Sequence, residues 1–439
     1  MIRLGDLRDS FQGVIPSLIA TLDATGVPNI SYLSQVHYVD DNHVALSNQY
    51  FSKTAANVQQ HGVATLMVVD GRTSVQHILD LQFIGSEVGG EIFDRISAQL
   101  DAASALQGHS GIMKLRAADI YRVTAVRQVP CVASAEPVPP ASRCDRLSRS
   151  AGIAAALAAQ DDADTLIDIA LDGLRDAMHF DHVMVLLRDD DGEQLSTVAS
   201  RGYSAYGAGA QVRIGEGLIG MAASRRRPIR LADLRRATTY AQAAAGEPQT
   251  IPLPGLNRPK CQMAVPMMSK GQVRGVIFAE SPVSFAYGHD DEAALSLIAG
   301  QLAAALQVAE LQAQAASPLP TATARPAMTG APFRLRYYSH DDSVFIDDDY
   351  IIKGVPGRLL YHFVSGYVEH GRRDYSNREI RREQALKLPD LKDNLETRLI
   401  LLRRRLDDKA GPIRLSRPER GQIRLEIDGS PQIEVIDDR

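Results

Sequence analysis

Ser52-Lys53-Thr54 places a hydroxyl, an ammonium and a second hydroxyl in consecutive positions, followed by a polar stretch and the apolar run VATLMVV at 63–69. Hydroxyl donors and one compact cation suit a phosphate better than a carboxylate pair. A helix beginning at Ser52 would add backbone N–H groups that lack an intrahelical acceptor. The triplet has none of the glycines of a P-loop, so the residues alone leave two readings open. Either they cradle an anion, or Ser52 caps a helix and Lys53 is solvated. A second concentration of charge lies near the other end of the chain. Arg398, Arg403, Arg404, Arg405 and Lys409 fall within a helical run at 395–409, and Arg414, Arg417 and Arg420 within the hairpin-like stretch 411–428. Guanidinium groups so placed suit phosphate and base-edge contacts on duplex DNA. The triple Arg403 to Arg405 spans most of a helix circumference, so at least one member faces away from any single groove. A role in packing or dimerisation is the alternative.

The elements that must hold these groups divide among three blocks. The chain has 439 residues, 45% of them hydrophobic, enough for two to four separately packed cores. Two stretches rich in Pro, Ala and Ser, within 127–150 and 313–332, read as linkers. The expected organisation is a first domain at 1–128, a linker at 129–150, a second domain at 151–312, a linker at 313–332 and a third domain at 333–439. In the first block, β-rich runs alternate with turn signals at Asp23–Gly26 and Asp40–Asn42. These predict about six antiparallel strands in a closed or nearly closed barrel, with a short helix from Ser52 to about Gln60. The second block predicts an α/β domain with helices at both ends, in which Leu166, Ile169, Ala170, Leu174 and Met178 fall near helical spacing. The third predicts strands, a helix opened by Pro356 and closed by Gly371, a second helix, an arginine-rich helix and a two-stranded hairpin.

With 48 basic and 53 acidic residues and a formal net charge of −5, global charge provides no argument for nucleic acid. Any such interface must be local. Cys131, Cys144 and Cys261 form no metal-spaced set, so no metal site is expected. Cys261 reads as a buried thiol or, if exposed, a redox-active one. His37, His43, His61 and His77 are available to haem in principle but match no ligand motif. The "SRRRP" run at 224–228 reads as a solvated helix end whose cations complement the C-terminal dipole, or as a phosphate contact. The first residues carry no apolar leader, and charges are expected to interrupt every window long enough to span a bilayer. These features predict a cytoplasmic protein without membrane contact.

Residues 1–128 resemble the flavin-binding split-barrel family that includes pyridoxamine 5'-phosphate oxidases. The resemblance rests on "GVPNIS", the hairpin "VHYVDDNHVALSN", the segment "FSKTAANV" and "VATLMVVD" followed by a glutamine-bearing strand ending in Gly85. It implies FMN as cofactor, with Ser52, Lys53 and Thr54 on its phosphate and Ser47, Asn48, Gln49 and Asn57 on nearby polar contacts. Gln76 is implied at the isoalloxazine edge or ribityl chain, and a homodimer shares the cleft. The chain has no arginine between residues 9 and 52, where oxidases of this family commonly have one, and lacks the carboxy-terminal substrate tail of vitamin B6 oxidases. Residues 151–312 resemble a GAF domain through "GEGLIG", "GLNRPKCQMAVPM", "KGQVRGVIFAESP" and the closing helix, which implies a small-molecule ligand. Residues 356–428 resemble the winged-helix output domain of response regulators, which implies double-stranded DNA as partner.

Together these resemblances describe a multidomain chain: split β-barrel, α/β GAF domain, winged-helix α+β domain. Two functions follow. One is a homodimeric regulator of transcription that senses flavin or a small ligand. The other is an FMN-dependent oxidoreductase acting on a small organic compound, with the two added domains serving regulation or oligomerisation.

Overall fold

The computed structural model describes residues 2–11, 13–49, 52–106, 114–130, 145–189, 192–204, 207–234, 252–315, 331–386, 395–419 and 421–437, with backbone only at 52, 314, 315 and 385. The described residues form three units, the first two each around one sheet and the third around two. After a 3-10 turn at Leu4–Phe11, the first unit comprises β1 (Ser17–Leu22), β2 (Pro28–Leu33), β3 (Val36–Asp40), β4 (His43–Asn48), β5 (Val63–Val69), β6 (Gln76–Glu87) and β7 (Ala117–Gln128). Helix α1 (Ser52–His61) joins β4 to β5, and α2 (Glu91–Leu106) joins β6 to β7. The strand order is β2-β1-β5-β6-β7-β4-β3. Seven strands stand where about six were expected, and β2 and β3 end the order without bonding to each other, so the sheet is split rather than closed. Alternation along β1 and β5 sends Ile19, Leu66 and Val68 into one core with Val44, Leu79 and Tyr121. The β1–β2 turn forms at the predicted Asp23–Gly26. Asp23 Oδ1 accepts the amides of Thr25 and Val27, each at 3.0 Å, and Gly26 takes the positive φ of 81° that closes it.

The second unit contains α3 (Arg146–Ala158), α4 (Ala163–Asp172), β8 (His182–Arg188), β9 (Gln194–Arg201), β10 (Gln211–Arg213), α5 (Gly217–Arg225), β11 (Ile229–Leu231), β12 (Cys261–Ser269), β13 (Gln272–Ser281) and α6 (His289–Ala315). Helix α3 starts inside the stretch read as a linker, because the Asp145 carboxylate caps it through the Ser148 amide. Asp162 caps α4 in the same way through Thr165. The sheet order is β10-β9-β8-β13-β12-β11. Helices α3, α4 and α6 cover one face, where Leu166, Leu174, Val185, Met263 and Leu302 meet. Helix α5 covers the other. The expectation that charges break every long apolar window is corrected by α6. Its residues His289–Ala313 are long and apolar enough to cross a membrane by length and composition, although one face belongs to the core of this unit.

The third unit runs β14 (Pro332–Tyr338), β15 (Ser343–Ile346), β16 (Asp349–Ile352), α7 (Val355–His370), β17 (Asp374–Ser376), α8 (Asn377–Arg382), α9 (Leu395–Lys409), β18 (Ile413–Ser416), β19 (Gln422–Ile427) and β20 (Ser430–Ile436). One sheet has the order β16-β15-β14-β20, with β20 parallel to β14, and the other the order β17-β19-β18. β15 and β16 are separated by a turn at Asp347, whose φ of 53° breaks the extended backbone. Helix α7 carries Pro356 in its first turn and Gly371 at its αL C-cap, where the sequence puts them.

Candidate functional site

Helix α1 presents its first turn beside the β1–β2 hairpin. Lys53 is mostly exposed, with Nζ 3.8 Å from Asp23 Oδ2, and no acidic residue occupies the first turn. Thr54 and Asn57 face inward instead. The Thr54 hydroxyl accepts a hydrogen bond from Asn29 Nδ2 and meets Ser31 Oγ, both at 3.0 Å, while Asn57 Nδ2 donates to Thr21 Oγ1 at 3.0 Å. Each of these side chains has an internal partner, which anchors the helix start to the hairpin. The Ser52 side chain lies outside the described residues.

At the end of β4 the Ser47 hydroxyl accepts the Gln35 amide at 3.1 Å, and Asn48 Nδ2 donates to Asp119 Oδ2 at 3.0 Å. Gln49 is buried and accepts Ser34 Oγ at 3.0 Å through Oε1, but its Nε2 has no hydrogen-bond partner among the described residues. A buried donor without a partner is costly and needs an explanation. Gln76 is not brought to this group. Asn48 pairs with Ala117 at the start of β7, whereas Gln128, at its far end, pairs with His77 beside Gln76. Sequence reading also missed Asp119. Its buried carboxyl takes Ser86 Oγ at 2.6 Å as well as Asn48, and burial raises its pKa above the ordinary carboxylate value despite these two donors.

The donors near the start of α1 fit an anionic oxygen: one ammonium, the free amides of a helix start and the orphaned Gln49 amide. A phosphate-bearing flavin such as FMN is chemically compatible with that set.

In the second unit, strand register lines up Gln262 on β12, Glu280 on β13 and His182 on β8. Glu280 is buried and accepts the Leu256 amide at 2.6 Å and Gln262 Nε2 at 3.1 Å. Burial holds its pKa above the ordinary range. The Tyr203 ring stands edge-on to His182 at 5.5 Å between centroids, and His182 Nδ1 is buried without a hydrogen-bond partner among the described residues. No sequence motif announces this row, because His182 joins the β12–β13 hairpin from β8, far earlier in the chain. Cys261 follows the inert reading: it is fully buried, and burial pushes its thiol up to about 11. The "SRRRP" run is not simply solvated. Arg225 pairs with Asp101, Arg227 lies 3.2 Å from Glu91, and Arg226 takes the αL C-cap of α5. Among the described residues no group of three or more potential metal ligands converges; Cys131 and Cys144 lie outside them.

These pairs join the first two units. Ala98 and Ala102 of α2 pack with Leu218, Ile219 and Ala222 of α5. Beside them Glu292 lies between Arg95 and Arg230, the latter at 3.2 Å. Burial alone would raise the Glu292 pKa, but the two guanidinium groups hold it below the ordinary value. His37 faces the same cluster, and burial, together with Arg95 and His289, lowers its pKa to about 4.

The arginines of the third unit are not spread on a free surface. Arg404 is buried and bonds Asp164 Oδ1 at 3.0 Å and Asp168 Oδ1 at 3.1 Å, and Arg403 bonds Asp164 Oδ1 at 3.0 Å. Arg405 turns inward to the Ile351 carbonyl at 2.8 Å and Asp408 at 3.0 Å. Arg417 reaches Glu396 at 2.7 Å and Asp162 at 3.6 Å, and Lys409 reaches Asp349 at 3.5 Å. Burial lowers the pKa of Arg398 to about 10, with Asp189 as the opposing charge. Arg414 is exposed, and Arg420 lies outside the described residues. In this arrangement, the arginine surface expected to meet DNA is therefore largely committed to protein carboxylates.

Comparison with known proteins assigns the first two units. Residues 7–164 match the pyridoxamine 5'-phosphate oxidase family, and residues 160–307 match the GAF domain family. The chain therefore joins a pyridoxamine 5'-phosphate oxidase-like region to a GAF domain in a multidomain architecture. Similar solved structures include the GAF domain of an Acinetobacter phosphoenolpyruvate-protein phosphotransferase, at 21% identity over 38% of this chain and 95% of that one, with a TM-score of 0.33. An FMN-binding protein from Syntrophomonas wolfei subsp. wolfei matches at 19% identity over 29% and 86%, with a TM-score of 0.25. A free methionine-R-sulfoxide reductase from Neisseria meningitidis matches at 17% identity over 40% and 98%, with a TM-score of 0.33. No curated protein matches the chain.

Proposed function

We propose that the chain is a cytoplasmic FMN-dependent oxidoreductase acting on a small organic compound, with its GAF domain regulating the flavin unit. The observation that carries this reading is the family match over residues 7–164 together with the anion-compatible start of α1 within it. Lys53 and the first-turn amides of α1 would hold the phosphate, and Gln49 Nε2 would supply a further donor. Thr54, Asn57, Ser47 and Asn48 keep the surrounding backbone in place through the internal bonds described above. Asp119, with Asn48 donating to one carboxyl oxygen and Ser86 to the other, would hold the end of β4 against β6 and β7 beside the site. Bound FMN supplies the hydride or electron transfer. The Gln262–Glu280–His182 row is the best candidate for ligand contact in the GAF domain. Leu22, Ile30 and Tyr32 of the β1–β2 hairpin are exposed, with Tyr32 at 74%, which favours burial against a second copy.

An FMN titration followed by absorbance tests the reading. The protein should acquire flavin bands with altered shape on binding, and Lys53→Ala should weaken binding about tenfold or more, the range of one charge-assisted hydrogen bond. A protein that fails to bind FMN would overturn it.

One observation favours a second reading, a DNA-binding regulator. The order α7, β17, α8, α9 and the β18–β19 hairpin, with β17 pairing into the hairpin's sheet, is compatible with a winged helix whose third helix is α9.

A further inference from the structure

Helix α9 has two buried faces. Leu395, Leu399, Leu402 and Leu406 enter the core of the third unit, at the i, i+4, i+7, i+11 spacing of one helical face. The opposite face turns to the GAF domain, where Ile400 joins that domain's core and Arg403 and Arg404 meet α4. In a winged helix this second face is the one available to DNA.

The GAF side presents an anion row. Asp164 and Asp168 lie one turn apart on α4, about 6 Å along its axis, and Asp162 caps its start. That separation is of the same order as the distance between successive phosphates on one nucleic-acid strand. Arg404 bridges the first two carboxylates and also donates to the Asp164 carbonyl at 3.0 Å, while Arg417 comes from the hairpin to Asp162. Asp164 is 1% exposed and Arg404 5%, so these are not ion pairs of the solvated kind, which contribute little. A buried ion pair is weak as a stabiliser and selective as a fastener, because either partner left alone is heavily penalised. A small, partly open pocket at the same interface is lined by Arg274, Glu310 and Glu396 together with Leu187, Leu306 and Ile400. A contact between units that rests largely on charged pairs is one that can separate.

We infer that the α4 aspartate row stands in for a DNA backbone, so that the GAF domain and a duplex compete for Arg403 and Arg404. The inference rests on the DNA-binding reading of the third unit. It makes the GAF domain a cover for the DNA face, released when α4 gives up the arginines.

The test uses the full chain and a fluorescein-labelled, random-sequence duplex of roughly 30 base pairs, a length that spans several helical turns. Anisotropy is read across a salt series for wild type and for Asp164→Asn with Asp168→Asn, and hydrogen exchange of residues 162–172 and 395–409 is followed in both. The variant should expose the 395–409 segment and bind duplex at least about tenfold more tightly. Its salt dependence should steepen by about two phosphate contacts, one each for Arg403 and Arg404, whose carboxylate partners the variant removes. In wild type, saturating duplex should itself raise exchange at 162–172, a readout that does not depend on the variant folding. Equal duplex affinity in both proteins, or duplex binding to wild type without a change at 162–172, overturns the competition while leaving DNA binding intact. An opened variant with no affinity for duplex at low salt overturns the DNA-binding reading itself.

Discussion

Lys53 and Gln49 illustrate how the fate of a polar side chain depends on partners far away in sequence. Ser52, Lys53 and Thr54 are consecutive, yet Thr54 is drawn into a hydroxyl and amide network with Asn29 and Ser31, while Lys53 is held only loosely by Asp23. The Gln49 amide is the complementary case, buried with one end satisfied. Gln49→Leu removes the unpaired donor but also the acceptor of the Ser34 hydroxyl, so stability should change by no more than about 1 kcal/mol while FMN binding weakens severalfold. Parallel thermal melts and flavin titrations check the two effects separately. His37 carries a pH dependence. Its pKa is about 4 in the folded chain and about 6.5 in the unfolded one, so below pH 6.5 the unfolded state binds the extra proton. Stability should therefore decline as pH falls from about 6.5 to about 4, by at most about 3 kcal/mol. His37→Asn should flatten that part of a stability-versus-pH curve measured by urea denaturation.

At the scale of elements, α2 is a strand connection in the first unit that serves as a bracket for the second. Its alanines allow close approach to α5, and its charges fall opposite arginines of the GAF domain. Glu292, at the start of α6, completes the joint between Arg95 and Arg230. Glu292→Gln leaves two guanidinium groups facing each other without their carboxylate. It should cost about 3–5 kcal/mol, visible as an earlier denaturation transition of the joined first and second units. Helix α9 shows the same economy of faces: its leucines and Arg405 pack into the third unit, Arg403 and Arg404 turn to the GAF domain, and both faces are covered.

Over the whole molecule, three units are tied together by buried charge and by two helices that belong to one unit and pack on another. This arrangement leaves the β1–β2 hairpin facing solvent with Leu22, Ile30 and Tyr32 uncovered. Ile30→Glu with Tyr32→Ser should shift sedimentation from a dimer toward a monomer if that face joins two copies. The substitutions lie on an exposed face, so the monomer should keep its fold by circular dichroism.

Much of the architecture was legible from local pattern. Alternation marked the strands, Asp23–Gly26 marked a turn, and Pro356 and Gly371 bounded a helix, because each depends on residues close in the chain. Segments quoted from the first two units carried enough resemblance to name their families. What tertiary structure alone decided was the pairing of charge. The arginines of α9 have a composition suited to DNA, but burial against Asp164 and Asp168, some 240 residues away, determines what they touch. Likewise Asp119 joins Asn48 and Ser86 only because β7 lies between β4 and β6, and Gln76 is separated from the α1 group by the length of that same strand. Sequence sets which side chains can donate or accept; long-range register decides which of them share a dielectric and a partner.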